Sequence, residues 1–269
     1  MQVMIWLRKH LAPTRPVRLR RWPNRAFALA SVTLLMGPCA PRNCTPPATY
    51  FGWVGVGGSL PTDEQCASWV RDAPENRPHN DGYNATTWGA RAPEFARSTG
   101  NFAGTTDEII QWAACKWGFD EDTLRAQVAK ESYWSQLNLG DWGSDPSRCA
   151  PEHPIGVDGR PGQCPESVGM MQVRAPYFPY SAAEGALKSS AYNLDVALHV
   201  WRNCFDGLET WLNQVERGRD YAAGDAWGCI GRWFSGRWYT QPSVDYIVAV
   251  QDYLNRRIWT DQGFIDWRP

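Results

Sequence analysis

Apolar residues recur at helical spacing from about residue 105 onward, while the chain before that point shows no such rhythm. Thr105-x-x-Glu108 forms a capping box ahead of Ile109, Ile110, Trp112, Ala113 and Trp117, and Gly118 supplies a stop. Asp120 can cap a second helix, where Glu121 and Asp122 suit the positive end of the dipole and Leu124, Gln127, Val128 and Glu131 follow. A third helix is expected over about 192–205, with Leu194, Ala197, Leu198, Trp201, Cys204 and Phe205 on one stripe. A fourth falls near 220–234, interrupted by Gly224, Gly228 and Gly231. The last starts at Pro242-Ser243 and runs through Tyr246, Ile247, Val250, Leu254 and Ile258. Strand patterns are few, so 105–262 reads as a mainly α domain, followed by a short tail at 263–269.

The preceding segment, 41–104, is rich in Pro, Gly and Thr, with one short helical stretch around 64–70. It reads as a linker and extended N-terminal arm. Ahead of it, residues 1–25 are Arg- and Pro-rich, and AFALASVTLLM over 26–36 is an apolar run ending in Gly37-Pro38-Cys39-Ala40. A basic region, a short apolar core and small residues are the layout of a secretory signal over 1–40. Eleven residues are too short for a spanning helix, so no stable membrane span is expected. Arg20-Arg21 is a partial twin-arginine pattern, and Cys39 stands where a lipoprotein signal places a cysteine, although Pro38 fits that pattern poorly.

Charge changes the picture of the partner. The chain carries 27 basic and 28 acidic residues, but the first 40 positions hold seven of the former and none of the latter. What remains is acidic, which argues against nucleic acid. Export also makes the eight cysteines interpretable as disulfides. Cys149 and Cys164 bracket a Pro/Gly-rich loop with no periodicity of its own, Cys204 and Cys229 lie on two expected helices, and Cys66 has two candidate partners, Cys44 and Cys115. The four histidines are scattered and no CxxC pair is present, so neither a metal site nor a cofactor is expected.

Glu131 carries the chemistry. At about 100° per residue, Leu124, Val128 and Glu131 fall within roughly 60° on the helix surface, so the carboxylate projects from the buried stripe. Desolvation there raises its pKa, as a general acid for glycosidic cleavage requires; a buried structural Glu paired with an Arg is the competing explanation. Some 35 residues later comes Ser167-Val168-Gly169-Met170-Met171-Gln172-Val173, an apolar turn with a glycine and a bifunctional amide.

Glu131-Ser132, the Gly169-Met170-Met171-Gln172 segment and Asn193-Leu194, in this order, resemble the soluble lytic transglycosylases, the glycoside hydrolase family that also holds goose-type lysozymes. Tyr246 and Val250 look like the family's terminal Tyr-x-x-x-Val. The resemblance covers roughly 105–260, and the whole chain is similar to secreted actinobacterial versions of the domain. It implies a lysozyme-like fold, Glu131 as catalytic acid/base, and substrate contacts at Ser132, Gly169, Met171, Gln172, Asn193, Trp233 and Tyr246. The family's Ala-Tyr-Asn-Ala-Gly segment is replaced by Arg232-Trp233-Phe234-Ser235-Gly236, which keeps the glycine and an aromatic but loses the Asn.

What the resemblance implies is a secreted monomer acting on peptidoglycan glycan strands, cutting the MurNAc–GlcNAc bond with a 1,6-anhydro product. A classical two-carboxylate glycosidase would need a partner for Glu131; Asp141 and Asp145, in GDWGSD, are the candidates, although such clusters are also ordinary solvated turns. Sixteen tryptophans exceed what a core of this size needs, and Trp233, Trp238 and Trp134 are the ones expected to face sugar. The same surplus fits a catalytically silent glycan-binding protein, and the 41–104 arm could instead attach a protein partner.

Overall fold

The computed structural model describes residues 50–73, 93–261 and 264. The expected signal at 1–40, Cys39, Cys44 and nearly all of the 263–269 tail lie outside the described residues. Among those described, no helix is long and apolar enough to cross a membrane.

The architecture is mainly helical, as expected. Helix α1 (Asp63–Trp69) precedes α2 (Thr106–Trp117) and α3 (Glu121–Ser132). A small antiparallel sheet follows, with β1 (Leu139–Gly143), β2 (Cys164–Val168) and β3 (Val173–Arg174) in that spatial order. The remaining helices are α4 (Tyr180–Lys188), α5 (Ser190–Phe205), α6 (Ala226–Ser235) and α7 (Gln241–Arg256). Local signals set the helix starts: Thr105 and Glu108 close their capping box, and Asp120 accepts from the amide of Thr123 at 2.8 Å. Gly118 ends α2 in the left-handed conformation.

Three elements depart from the expectation. The fourth helix starts at Ala226 instead of near 220, because Gly224 turns with positive φ and Asp225 caps the helix through the Gly228 amide at 2.9 Å. Helix α4 was unanticipated, being an alanine-rich nine-residue piece begun at Pro179 without a side-chain cap. The sheet was missed because β2 is buried on both faces and so shows no alternation, while β1 contains two glycines and an Asp at positive φ.

One core cluster joins α2, α3, α5, α6 and α7, with Trp112, Phe119, Leu124, Leu194 and Trp238 completely or almost completely enclosed. A second, smaller cluster of Phe95, Val173, Ala182, Tyr192 and Val196 fills the space between sheet, α4 and α5.

Of the segment read as an extended arm, the described residues 50–73 and 93–104 pack on the helical body. Val54 donates its amide to Gly118 at 2.9 Å, Trp53 stacks on Trp201 and meets Phe119, and Arg202 holds the carbonyls of Val54 and Gly55. Beneath residues 98–100 lies a buried ionic cluster. Lys116 and Asp195, neither exposed to solvent, pair at 2.7 Å; Asp63 joins the ammonium at 2.8 Å, and the Thr99 and Gly100 amides and the Trp117 indole donate to Asp195. Desolvated charges of this kind need every partner present.

Disulfides complete the frame. Cys149–Cys164 and Cys204–Cys229 form as expected, and Cys66 pairs with Cys115, tying α1 to α2. Loop-closure entropy gives about 3 to 4 kcal/mol for each.

Candidate active site

Leu124 and Val128 are fully buried on α3, and Glu131, one turn further on, emerges half-buried at the helix end. α3 packs along α7, and that contact sets Tyr246 opposite the carboxylate. The Tyr246 phenol is almost fully enclosed and donates to Oε1 of Glu131, while Gln127 donates to the same hydroxyl from one turn below. The Glu131 carboxyl is pushed up to about 7, chiefly by loss of solvent. Tyr246 and the Lys130 charge pull it down, and the negative charge of Asp141 pushes it further up. Tyr246 is itself raised well above the ordinary phenol value, first by burial and then by the facing carboxylate, and so stays a donor.

The backbone beyond Glu131 is strained. Tyr133 and Trp134 both adopt positive φ, 50° and 62°, which costs about 1–2 kcal/mol per non-glycine residue. Trp134 is held there by its indole, which donates to the Arg125 carbonyl at 3.1 Å. Asp141 on β1 and Gln172 in the β2–β3 turn are also at positive φ.

In the turn joining β2 to β3, Gly169 has φ 76°, and a Cβ there would sit 2.2 Å from Nδ2 of Asn193, so glycine is required twice over. Asn193 donates to the carbonyls of Val168 at 2.8 Å and Ala186 at 3.0 Å, and its Oδ1 accepts from the Met171 amide at 2.8 Å. Trp233 on α6 donates to the Met171 carbonyl at 3.1 Å. Gln172 donates to the carbonyls of Gly169 and Asn138, and its Oε1 lies against Gly140 of β1, next to Asp141. The structure thus brings Gly169, Met171, Gln172, Asn193 and Trp233 together, while Glu131 pairs with Tyr246 and feels the charge of Asp141.

Several of the expected site residues are enclosed or engaged within the protein. Ser132, Met171 and Asn193 are buried: Ser132 back-bonds to Val128 at 3.3 Å, Met171 fills the core, and Asn193 spends its amide on backbone groups. Met171 and Asn193 help to build the β2–β3 turn. Trp134 and Trp238, expected to face sugar, are core residues at 6% and 0% exposure, and the Trp238 indole is used on the Asp220 carbonyl. Trp233 is half-buried. Asp145 caps the turn at Pro146–Arg148 through Ser147, which lowers its pKa. Asp141 is half-exposed and accepts from Ser167, and its negative charge is felt at Glu131. Glu166 is clamped by Arg148 and Arg174, which keep it ionised and below the usual carboxylate range.

Two residues here had no distinguishing sequence signal. Gln127 was legible as a position on the Glu131 stripe, not as a support for Tyr246. Phe234 is 57% exposed and lies parallel on the Tyr246 ring. Among the described residues no three His, Cys, Asp or Glu side chains converge as a metal site. No protein family, characterised protein or solved structure matches this chain.

Proposed function

We propose that the chain is a secreted, lysozyme-like lytic transglycosylase of peptidoglycan, with Glu131 as its single acid/base. The observation that carries the reading is the Glu131 carboxyl, held by the enclosed Tyr246 phenol and raised by loss of solvent to about 7. A group poised near neutrality can give a proton and then take one. Glu131 protonates the oxygen bridging MurNAc to GlcNAc, the C1–O bond breaks, and the N-acetyl oxygen of the substrate supports the cationic carbon. Ionised Glu131, steadied by the Tyr246 phenol, then removes the C6 hydroxyl proton as O6 closes on C1. The 1,6-anhydro ring forms and the acid is restored. Three disulfides fit an oxidising, extracytoplasmic compartment.

One observation favours a hydrolytic variant of the same cleavage. Asp141 on β1 is half-exposed and its charge acts on Glu131, so it is the carboxylate that would orient a water in place of the C6 hydroxyl. Digestion of purified peptidoglycan, with product ends identified by mass, separates the two: anhydro ends for the lytic reaction, reducing ends for hydrolysis. Glu131→Gln is expected to lower product release on the order of a thousandfold. Wild-type turnover by that variant rejects the acid role. Tight binding to the polymer by the wild-type chain with no soluble product makes it a glycan-binding protein.

A further inference from the structure

Helices α6 and α7 meet at Gly231, where a Cβ would lie 2.2 Å from Oγ of Ser243 and 2.8 Å from Cδ1 of Ile247. That close approach lays Phe234, one turn further along α6, flat on Tyr246, with centroids 4.7 Å apart and planes within 1°. The helix is fixed from two other sides. Cys204–Cys229 ties it to α5, and the Trp233 indole ties it to the β2–β3 turn. Gly236 then ends it in the left-handed conformation. Phe234 therefore has one face covered by a catalytic-site tyrosine and the other open to solvent.

We propose that the open face of Phe234 is a platform for one pyranose ring of the glycan strand, next to the bond that Glu131 cleaves; this rests on the glycosidase reading above. A sugar ring presents axial C–H groups on its face and hydroxyls at its edge, so a flat aromatic surface can take the face while the hydroxyls stay hydrated. Location selects this occupant. The Tyr246 ring that supports Phe234 reaches Glu131 with its hydroxyl, so the platform stands one phenol length from the acid. Phe234 offers no hydrogen-bonding group, so it would contribute affinity for the ring without discriminating its substituents.

The test is steady-state kinetics of the purified chain on a soluble GlcNAc–MurNAc tetrasaccharide, with and without stem peptides. Phe234→Ala is expected to raise KM about tenfold on both substrates with kcat and the alkaline limb of the pH profile unchanged, because a contact shared by ground and transition states is lost. Phe234→Trp is expected to restore KM. An unchanged KM in Phe234→Ala overturns the platform while leaving the glycosidase reading intact. A lower kcat with a displaced pH limb also overturns it, showing that Phe234 acts only through Tyr246. If the wild-type chain makes no product and does not bind the tetrasaccharide, the glycosidase reading falls and the platform with it. If it binds without cleaving, the same tenfold comparison is read as a dissociation constant, and equal constants for wild type and Phe234→Ala overturn the platform.

Discussion

The Tyr246 hydroxyl donates to Oε1 of Glu131, joining residues 115 positions apart across the α3–α7 contact. The bond and the burial that accompanies it act in opposite directions on the carboxyl. Loss of solvent dominates and raises the pKa, and the phenol, by favouring the ionised form, limits the rise to about 7. An acid with no such partner would hold its proton more tightly and return more slowly as a base.

Opposite shifts follow from the two neighbours. Tyr246→Phe removes a bond to the ionised form, so the Glu131 pKa rises and the alkaline limb of the pH–rate profile moves up. Asp141→Asn removes a like charge, so the limb moves down. Paired profiles of kcat/KM check the sign, and movement of both limbs in one direction contradicts the arrangement.

Stability carries the same signature. Folded Glu131 holds its proton up to about pH 7, whereas in the unfolded chain it titrates near 4.5, so the folded state binds more protons between those values. Its stabilising contribution is complete below 4.5 and is lost as pH rises through 7. Glu131→Gln is expected to match wild type near pH 4 and to exceed it at pH 8, by up to roughly 3 kcal/mol less the screening of solvent in the cleft. Urea unfolding at both pH values measures the difference.

Asn193→Ala strands the Met171 amide and the Val168 and Ala186 carbonyls inside the protein. The expected loss is about 3 kcal/mol, with activity falling because the Gly169–Gln172 turn loosens. Denaturant midpoints and turnover on peptidoglycan are measured together, since a ligand-contact role alone would leave the midpoint unchanged.

Lys116→Met leaves Asp195 enclosed without its cation. A cost of about 3 to 5 kcal/mol is expected, the value for breaking a buried pair from one side. Because Thr99 and Gly100 hang from the same carboxylate, cleavage by a protease within 93–104 is expected to become faster in this variant.

Helix starts were legible because their causes are local. Thr105 with Glu108, and Asp120 with Thr123, satisfy orphan amides within one turn, so neighbouring letters are enough. The 149–164 and 204–229 pairings were legible once an oxidising compartment was assumed, but the choice between Cys44 and Cys115 for Cys66 required the packing of α1 on α2. Trp134 and Trp238 show the limit most clearly. Composition says that tryptophan is in surplus, yet which rings are enclosed depends on elements distant in sequence, and these two are core.

By itself the sequence determined a helical chain, its caps, and a carboxylate on the apolar stripe of α3, because each depends on spacing along one segment. Tertiary structure alone decided that Tyr246 would meet that carboxylate, that Asn193 would hold the Met171 turn from within, that residues 50–73 would pack on the domain, and that Phe234 would stack on Tyr246 with one face open. Those relations arise where desolvation and partners are supplied by other segments, and a pKa or a free aromatic face is a property of that meeting.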